Sequence, residues 1–235
     1  MPAKPSLAAA TTEQLRPRVG RPRVAGSANT TRARIMDAAE ELFAISGYDG
    51  TSMRDIAAAS GIAVAVVTYH FGSKTALFEA VVTRRAGPIG EVRVKALEAA
   101  RALAGKEPIA IEVLIRNYVA PFILRAQGGD QGWRNYASLM GRLSNSTLGT
   151  EVIHRHFDAI AMLYIQELQR TLSGVEATHV VRAFLFVNAA MLFICAATGR
   201  SEALSAMLGA PVTSDDPLDG LVAYCAAGLA GLPRS

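Results

Sequence analysis

Thr51, Ser52, Arg54, Thr68, Tyr69, His70 and Lys74 crowd into one short stretch of the chain. All carry hydrogen-bond donors. Hydroxyls, an imidazole and an ammonium suit phosphate oxygens, and a guanidinium fits the O6/N7 edge of guanine. Val64, Ala65 and the Thr68 methyl suit the C5 methyl of thymine. No reactive pairing accompanies these groups. The chain has no GxSxG, HExxH, P-loop or GxGxxG, and its four histidines and two cysteines show no triad or ligand spacing. His154 and His156 stand two apart, on nearly opposite sides of a helix, and His154 with Asp158 is one ligand pair short of a metal site. The chemistry is that of binding nucleic acid, with no enzyme activity, metal or cofactor expected.

The elements that must hold these residues are helices. From Thr30, Ile35, Ala38, Ala39, Leu42 and Phe43 recur at three and four, with Thr30 or Thr31 as cap and Gly47 as stop. Ser52-x-x-Asp55 reads as a capping box opening a short helix that ends at Ser60-Gly61. A third helix spans about 63–69, and Ser73 caps a fourth beginning at Lys74. Three short helices with a glycine turn between the second and third describe a helix-turn-helix, whose last helix fits a DNA major groove. Ile56, Ile62, Val66 and Phe71 are spaced to fill its core.

After Gly87-Pro88 the pattern predicts helices near 90–104, 109–127, 130–144, 150–172, 176–198, 201–208 and 218–230. Pro121 predicts a kink in the second of these. No window alternates with period two, so the expected class is all-α: a small N-terminal bundle and a larger C-terminal one. The expected division is 1–29, a disordered basic arm; 30–87, the helix-turn-helix domain; and 88–235, a domain for ligand binding and dimerisation.

Charge supports a polyanionic partner. Residues 1–34 hold seven basic residues and one acid, a net of +6; residues 35–85 net −2; the remainder balances 13 against 13. A basic arm on a neutral body points to double-stranded DNA first and a membrane surface second. The arm lacks the aromatic and leucine face of a membrane anchor and the apolar core of a secretory signal. The most apolar stretch, 183–197, is interrupted by Asn188 and falls short of the ~20 residues that span a bilayer. A cytoplasmic protein with no membrane partner is expected. Structural association with nucleic acid or a membrane surface is the alternative, as is regulation without an effector.

The ordered set Thr51-Ser52-Met53-Arg54-Asp55-Ile56-Ala57, Ser60-Gly61-Ile62 and Val67-Thr68-Tyr69-His70-Phe71-Gly72-Ser73-Lys74, with Leu77 after it, resembles the DNA-binding head of the TetR family of bacterial repressors. The likeness covers about residues 30–85. It implies a homodimer that holds two recognition helices about 34–36 Å apart on a palindromic operator. It also implies a small-molecule effector, bound in the C-terminal bundle, that releases the protein. The family often has Ser or Thr at 63 and 66 and a polar residue at 64. Here Ala63, Val64 and Val66 stand there, so the half-site is expected to be read largely through thymine methyls. Thr51, Ser52, Tyr69, His70 and Lys74 are the expected phosphate ligands. Gly20-Arg21-Pro22-Arg23 is similar to minor-groove AT-hook cores, which makes Arg21 and Arg23 candidates for an A·T groove.

For the body, Tyr118, Phe122, Trp133, Tyr136, Met140, Phe157, Met162, Phe184 and Asn188 are the candidate pocket lining. Few charges lie on the expected inner faces, which favours a mainly apolar ligand. The stretch from Trp133 to Gly141-Arg142-Leu143 resembles family members that sense fatty-acid-like molecules. The apolar helix near 176–198 and the small-residue helix 218–230 are the expected dimer contact, through Val187, Met191, Ile194, Leu221, Tyr224 and Gly228.

Overall fold

The computed structural model describes residues 25–144, 147–196, 199–209 and 217–234. Eleven helices are described: α1 (Ala25–Ser46), α2 (Met53–Ser60), α3 (Val64–Phe71), α4 (Lys74–Ala104), α5 (Ile111–Gln127), α6 (Gln131–Leu143), α7 (Thr147–His156), α8 (Asp158–Thr171), α9 (Ala177–Cys195), α10 (Arg200–Met207) and α11 (Pro217–Ala230). Among the described residues there is no strand; Val175 and Arg234 form one isolated bridge.

Local chemistry sets the head. Ser52 Oγ accepts from the Asp55 N–H at 3.2 Å while Asp55 Oδ2 accepts from the Ser52 N–H at 2.9 Å, the expected capping box. Gly61 takes a left-handed conformation (φ 64°), and its N–H returns to the Ala57 and Ala58 carbonyls. α3 has Ala63 at its N-cap and so no side-chain cap, as its sequence implies. Ser73 caps α4, its Oγ accepting from the Ala76 N–H at 3.1 Å. Ile35, Ala39, Phe43, Ile56, Val67, Phe71, Leu77 and Phe78 form the buried core of the head.

Several expected boundaries move. α1 begins at Ala25, five residues before the expected cap, so 25–29 belong to a helix and not to the arm. The division at 87/88 falls inside α4, which runs through Pro88 without a break. A proline there forfeits one backbone bond. Ile89, Gly90, Arg93 and Leu97 follow it into the core and hold the helix in place. Head and body therefore share one helix. The expected helix 150–172 is two, α7 and α8, parted at Phe157. α5 continues through the buried Pro121 to Gln127.

One apolar core continues from α1 to α11. Gly90 lets α4 and α8 cross closely, since a Cβ there would lie 2.6 Å from Ile160 Cδ1. α9 has 19 residues with mean hydropathy 1.7, long and apolar enough to cross a membrane by length and composition. Its inner face, Val180, Ala183, Phe184, Val187 and Met191, is buried in this core.

Candidate nucleic-acid interface

α3 buries Val67 and Phe71 and leaves Val64, Ala65, Thr68 and Tyr69 exposed. Those four recur at one and four, so they share one helical face. Tyr69 is 73 % exposed, its ring edge-on to His70 at 5.5 Å. Val66, expected in the core, is exposed, and Val67 takes its place. Arg54 and Ser52 are exposed on α2 and its cap. Arg32 and Arg34, counted with the basic residues of 1–34 by sequence, are exposed on α1. The Arg32 guanidinium lies 4.9 Å from the Phe71 ring centroid, and Arg34 Nη2 donates to the Ser60 carbonyl at 2.8 Å. Arg21 and Arg23 lie outside the described residues.

Two expected phosphate ligands are used internally. Thr51 is 3 % exposed, and its hydroxyl donates to the Gly47 carbonyl at 2.8 Å and reaches that of Leu42 at 3.3 Å. The Lys74 ammonium donates to the Tyr48 and Thr51 carbonyls, each at 3.0 Å, and sits 4.1 Å from the Tyr48 ring centroid. Both side chains close the α1–α2 connection onto α4. A buried hydroxyl needs such acceptors, so Thr51 is turned inward, whereas the half-buried Lys74 ammonium places two of its three N–H donors here. Ser52 remains exposed, while its hydroxyl also donates to Asp55 at 2.7 Å.

Sequence reasoning missed the junction between head and body. Glu40 of α1 is buried and takes three arginine contacts. Arg84 Nη2 reaches Oε2 at 2.7 Å, and Arg85 donates through Nε to Oε1 at 3.0 Å and Nη2 to Oε2 at 2.8 Å. Arg84 also pairs with Asp37 at 2.6 Å. Trp133 of α6 covers Arg85, 4.7 Å from ring centroid to guanidinium. Gly132 leaves room for this cluster, because a Cβ there would collide with the Arg85 guanidinium. The surrounding carboxylates hold Arg85 above its ordinary pKa against the opposing effect of burial, which is the larger single influence. The two arginines adjoin at 84–85, but nothing in sequence pairs them with position 40.

In the body, the candidate lining divides. Tyr118 and Phe184 pack edge to face at 4.7 Å, and Tyr118 donates to Asn188 Oδ1 at 3.0 Å. Tyr136 contacts Phe122 and Trp133, each at 5.9 Å between centroids. Met140 is buried and Phe157 half-buried against the same core. Met162 is 46 % exposed and faces away from it, which removes it from the lining.

The expected dimer residues divide as well. Val187, Met191 and Leu221 are buried in the chain's own core and cannot meet a partner. Ile194 is half-buried. Tyr224 is 76 % exposed, and Gly228 is exposed on the same helix. The outward apolar residues of α9 are Val181, Leu185, Phe186 and Phe193, none of them among the expected contact residues. Burial pushes the Cys195 thiol up to about 12, which leaves it protonated and unreactive.

Residues 35–81 match a family model described as bacterial regulatory proteins, tetR family, and residues 116–228 match one described as tetracyclin repressor-like, C-terminal domain. An uncharacterized HTH-type transcriptional regulator, TtgW, of Pseudomonas putida is 34 % identical over 67 residues, 28 % of this chain and 50 % of the relative. The matched segment thus spans about half the length of that curated relative. A TetR-like transcriptional regulator from Rhodococcus sp. RHA1 superposes with TM-score 0.58 at 20 % identity, covering 86 % of this chain and 96 % of that one. HlyIIR, a hemolysin II transcriptional regulator, superposes with TM-score 0.56 at 16 % identity, covering 84 % and 97 %. At these identities the two structures establish the shared fold.

Proposed function

The chain belongs to the TetR family of bacterial regulatory proteins, and from that premise we propose that it is a cytoplasmic, dimeric repressor that leaves a palindromic operator when a small effector binds. The observation that carries this reading is the exposed face of α3, with Val64, Ala65, Thr68 and Tyr69 outward on a helix held by a buried core. Its apolar half suits thymine methyls, and Thr68 and Tyr69 supply the polar contacts. Arg54, His70 and Ser52 flank it, with Arg32 and Arg34 adding positive charge nearby.

The dimer is supported by Leu185, Phe186 and Phe193 of α9 and Tyr224 of α11, large apolar groups left exposed in a single chain. Ala223, Ala227 and Gly228 on α11 leave room for a neighbouring helix to approach. An apolar patch of this kind marks an association surface. A helical C-terminal bundle with a buried aromatic centre is the place for the effector.

The test is a gel shift with the DNA upstream of the chain's own coding sequence, then with a selected random pool, each across a salt series. Specific binding with a steep salt dependence is expected. Failure to retain any sequence overturns the proposal.

A further inference from the structure

Arg93, on the inner side of α4, is 3 % exposed. Its Nε donates to the Tyr118 carbonyl at 2.7 Å, its Nη2 reaches Met191 Sδ at 3.7 Å, and its guanidinium lies 3.7 Å from the Tyr118 ring centroid. Among the described residues no carboxylate stands within ion-pairing distance of it. The other two buried charges are both matched: Glu40 by Arg84 and Arg85, Glu167 by Arg101 and Arg170. A buried guanidinium with only a carbonyl, a thioether and a ring for company retains unspent N–H donors and an uncompensated charge.

A second group points the same way. Tyr136 of α6 is fully buried, and its hydroxyl has no hydrogen-bond partner among the described residues. Of the charges that act on it, Arg93 is the strongest, followed by Glu40 and Arg85 of the junction cluster. The neighbouring phenols are satisfied: Tyr164 donates to the Arg93 carbonyl at 2.8 Å and Tyr118 to Asn188. Buried hydroxyls are rarely left unpaired, so this one awaits an acceptor.

We propose that Arg93 and Tyr136 together receive the carboxylate of a monoanionic effector whose apolar remainder packs among Phe122, Phe184, Met140 and Met191. This rests on the effector-released repressor reading. One buried positive charge balances one negative charge, so a carboxylate fits and a phosphate dianion leaves an excess. Met140 and Met191 are the adaptable side chains that make room for the chain of the ligand.

The experiment uses the full chain, with its single tryptophan as reporter; the Trp133 ring lies 5.9 Å from that of Tyr136. Butyrate, decanoate, palmitate and phenylacetate are titrated, each beside its primary alcohol and its methyl ester, and operator retention is measured in the same samples. At least one acid binds, and its alcohol and ester bind at least about tenfold more weakly. Tyr136→Phe weakens that acid by about tenfold, the loss of one charge-assisted bond, and Arg93→Gln abolishes binding. If Arg93→Gln fails to fold, Tyr136→Phe decides, since it removes only an unpaired hydroxyl. Binding by no acid overturns the inference, as does equal binding of acid and alcohol or an unchanged Tyr136→Phe. Operator retention in those same samples keeps the repressor reading intact; its absence without any ligand sinks that reading instead.

Discussion

Glu40 of α1 and Arg85 of α4 meet in a two-point fork, Nε to Oε1 at 3.0 Å and Nη2 to Oε2 at 2.8 Å. Arg84 completes the cluster, and Gly132 of α6 supplies the space it occupies. The DNA-binding head is thereby fastened to the body by a buried charge group that rests on three helices.

Removing the shared anion leaves two arginines facing each other at the junction. Glu40→Ala is expected to lower stability by about 3–5 kcal/mol. Gly132→Ala acts in the same direction, since its methyl collides with Arg85. Urea denaturation of the three proteins checks both; an unchanged midpoint for Glu40→Ala contradicts the fork.

Lys74 places two of its three N–H donors on the Tyr48 and Thr51 carbonyls. Lys74→Met should therefore cost stability, about 1–2 kcal/mol. The slope of log affinity against log salt should stay as it is, whereas losing a phosphate contact would flatten it by about 0.9. Thermal unfolding and a salt series on the operator separate the two roles.

Tyr69 is the most exposed aromatic of α3. Tyr69→Ala leaves stability within about 0.5 kcal/mol of the parent. Operator affinity falls by about tenfold, as for one lost polar contact to DNA. A variant that binds DNA normally would remove Tyr69 from the interface.

Asp55 accepts from the Ser52 hydroxyl and N–H, and these bonds lower its pKa below 3.8. A carboxyl depressed in the folded state adds stability above its unfolded pKa. That contribution is lost only as pH falls through the lower, folded value. The capping box should persist to a pH below that at which an ordinary aspartate protonates. An NMR titration of Asp55 checks it: the midpoint moves up to the ordinary value in Ser52→Ala.

Neighbouring residues of α9 should behave oppositely. Phe186→Glu dissociates the dimer and leaves the monomer folded, read by sedimentation. Val187→Ala keeps the dimer and costs about 2 kcal/mol through a cavity. A dimer that survives Phe186→Glu places the subunit contact elsewhere.

Features set within one turn of chain were legible in the sequence. The Ser52–Asp55 box, the Gly61 turn and the apolar stripe of α1 depend only on near neighbours. Where distant segments decide, residue type misleads. Lys74 is of the right type for phosphate, but the Tyr48 carbonyl, 26 residues earlier, captures it. Pro88 has the local signature of a break, which burial of the next turns overrides. Val66 and Val67 differ by one position, about 100° around the helix, and both are valines, so pattern cannot choose between them. On α9, apolar on every side, the sequence does not tell Val187 and Met191, which face inward, from Leu185 and Phe186, which face outward. Arg93 and Glu40 were invisible because their partners are tertiary.

The unbroken run of α4 has a mechanical consequence. Its 31 residues make a rod about 46 Å long at ~1.5 Å per residue. Lys74 stands at the end next to the head, and Arg93 lies roughly 28 Å along it at the same rise. A tilt of only about 5° at the far end sweeps the near end through about 4 Å, more than the ~3.4 Å between successive bases. A rod of this length would turn a small adjustment inside the bundle into a misregister of a whole base pair.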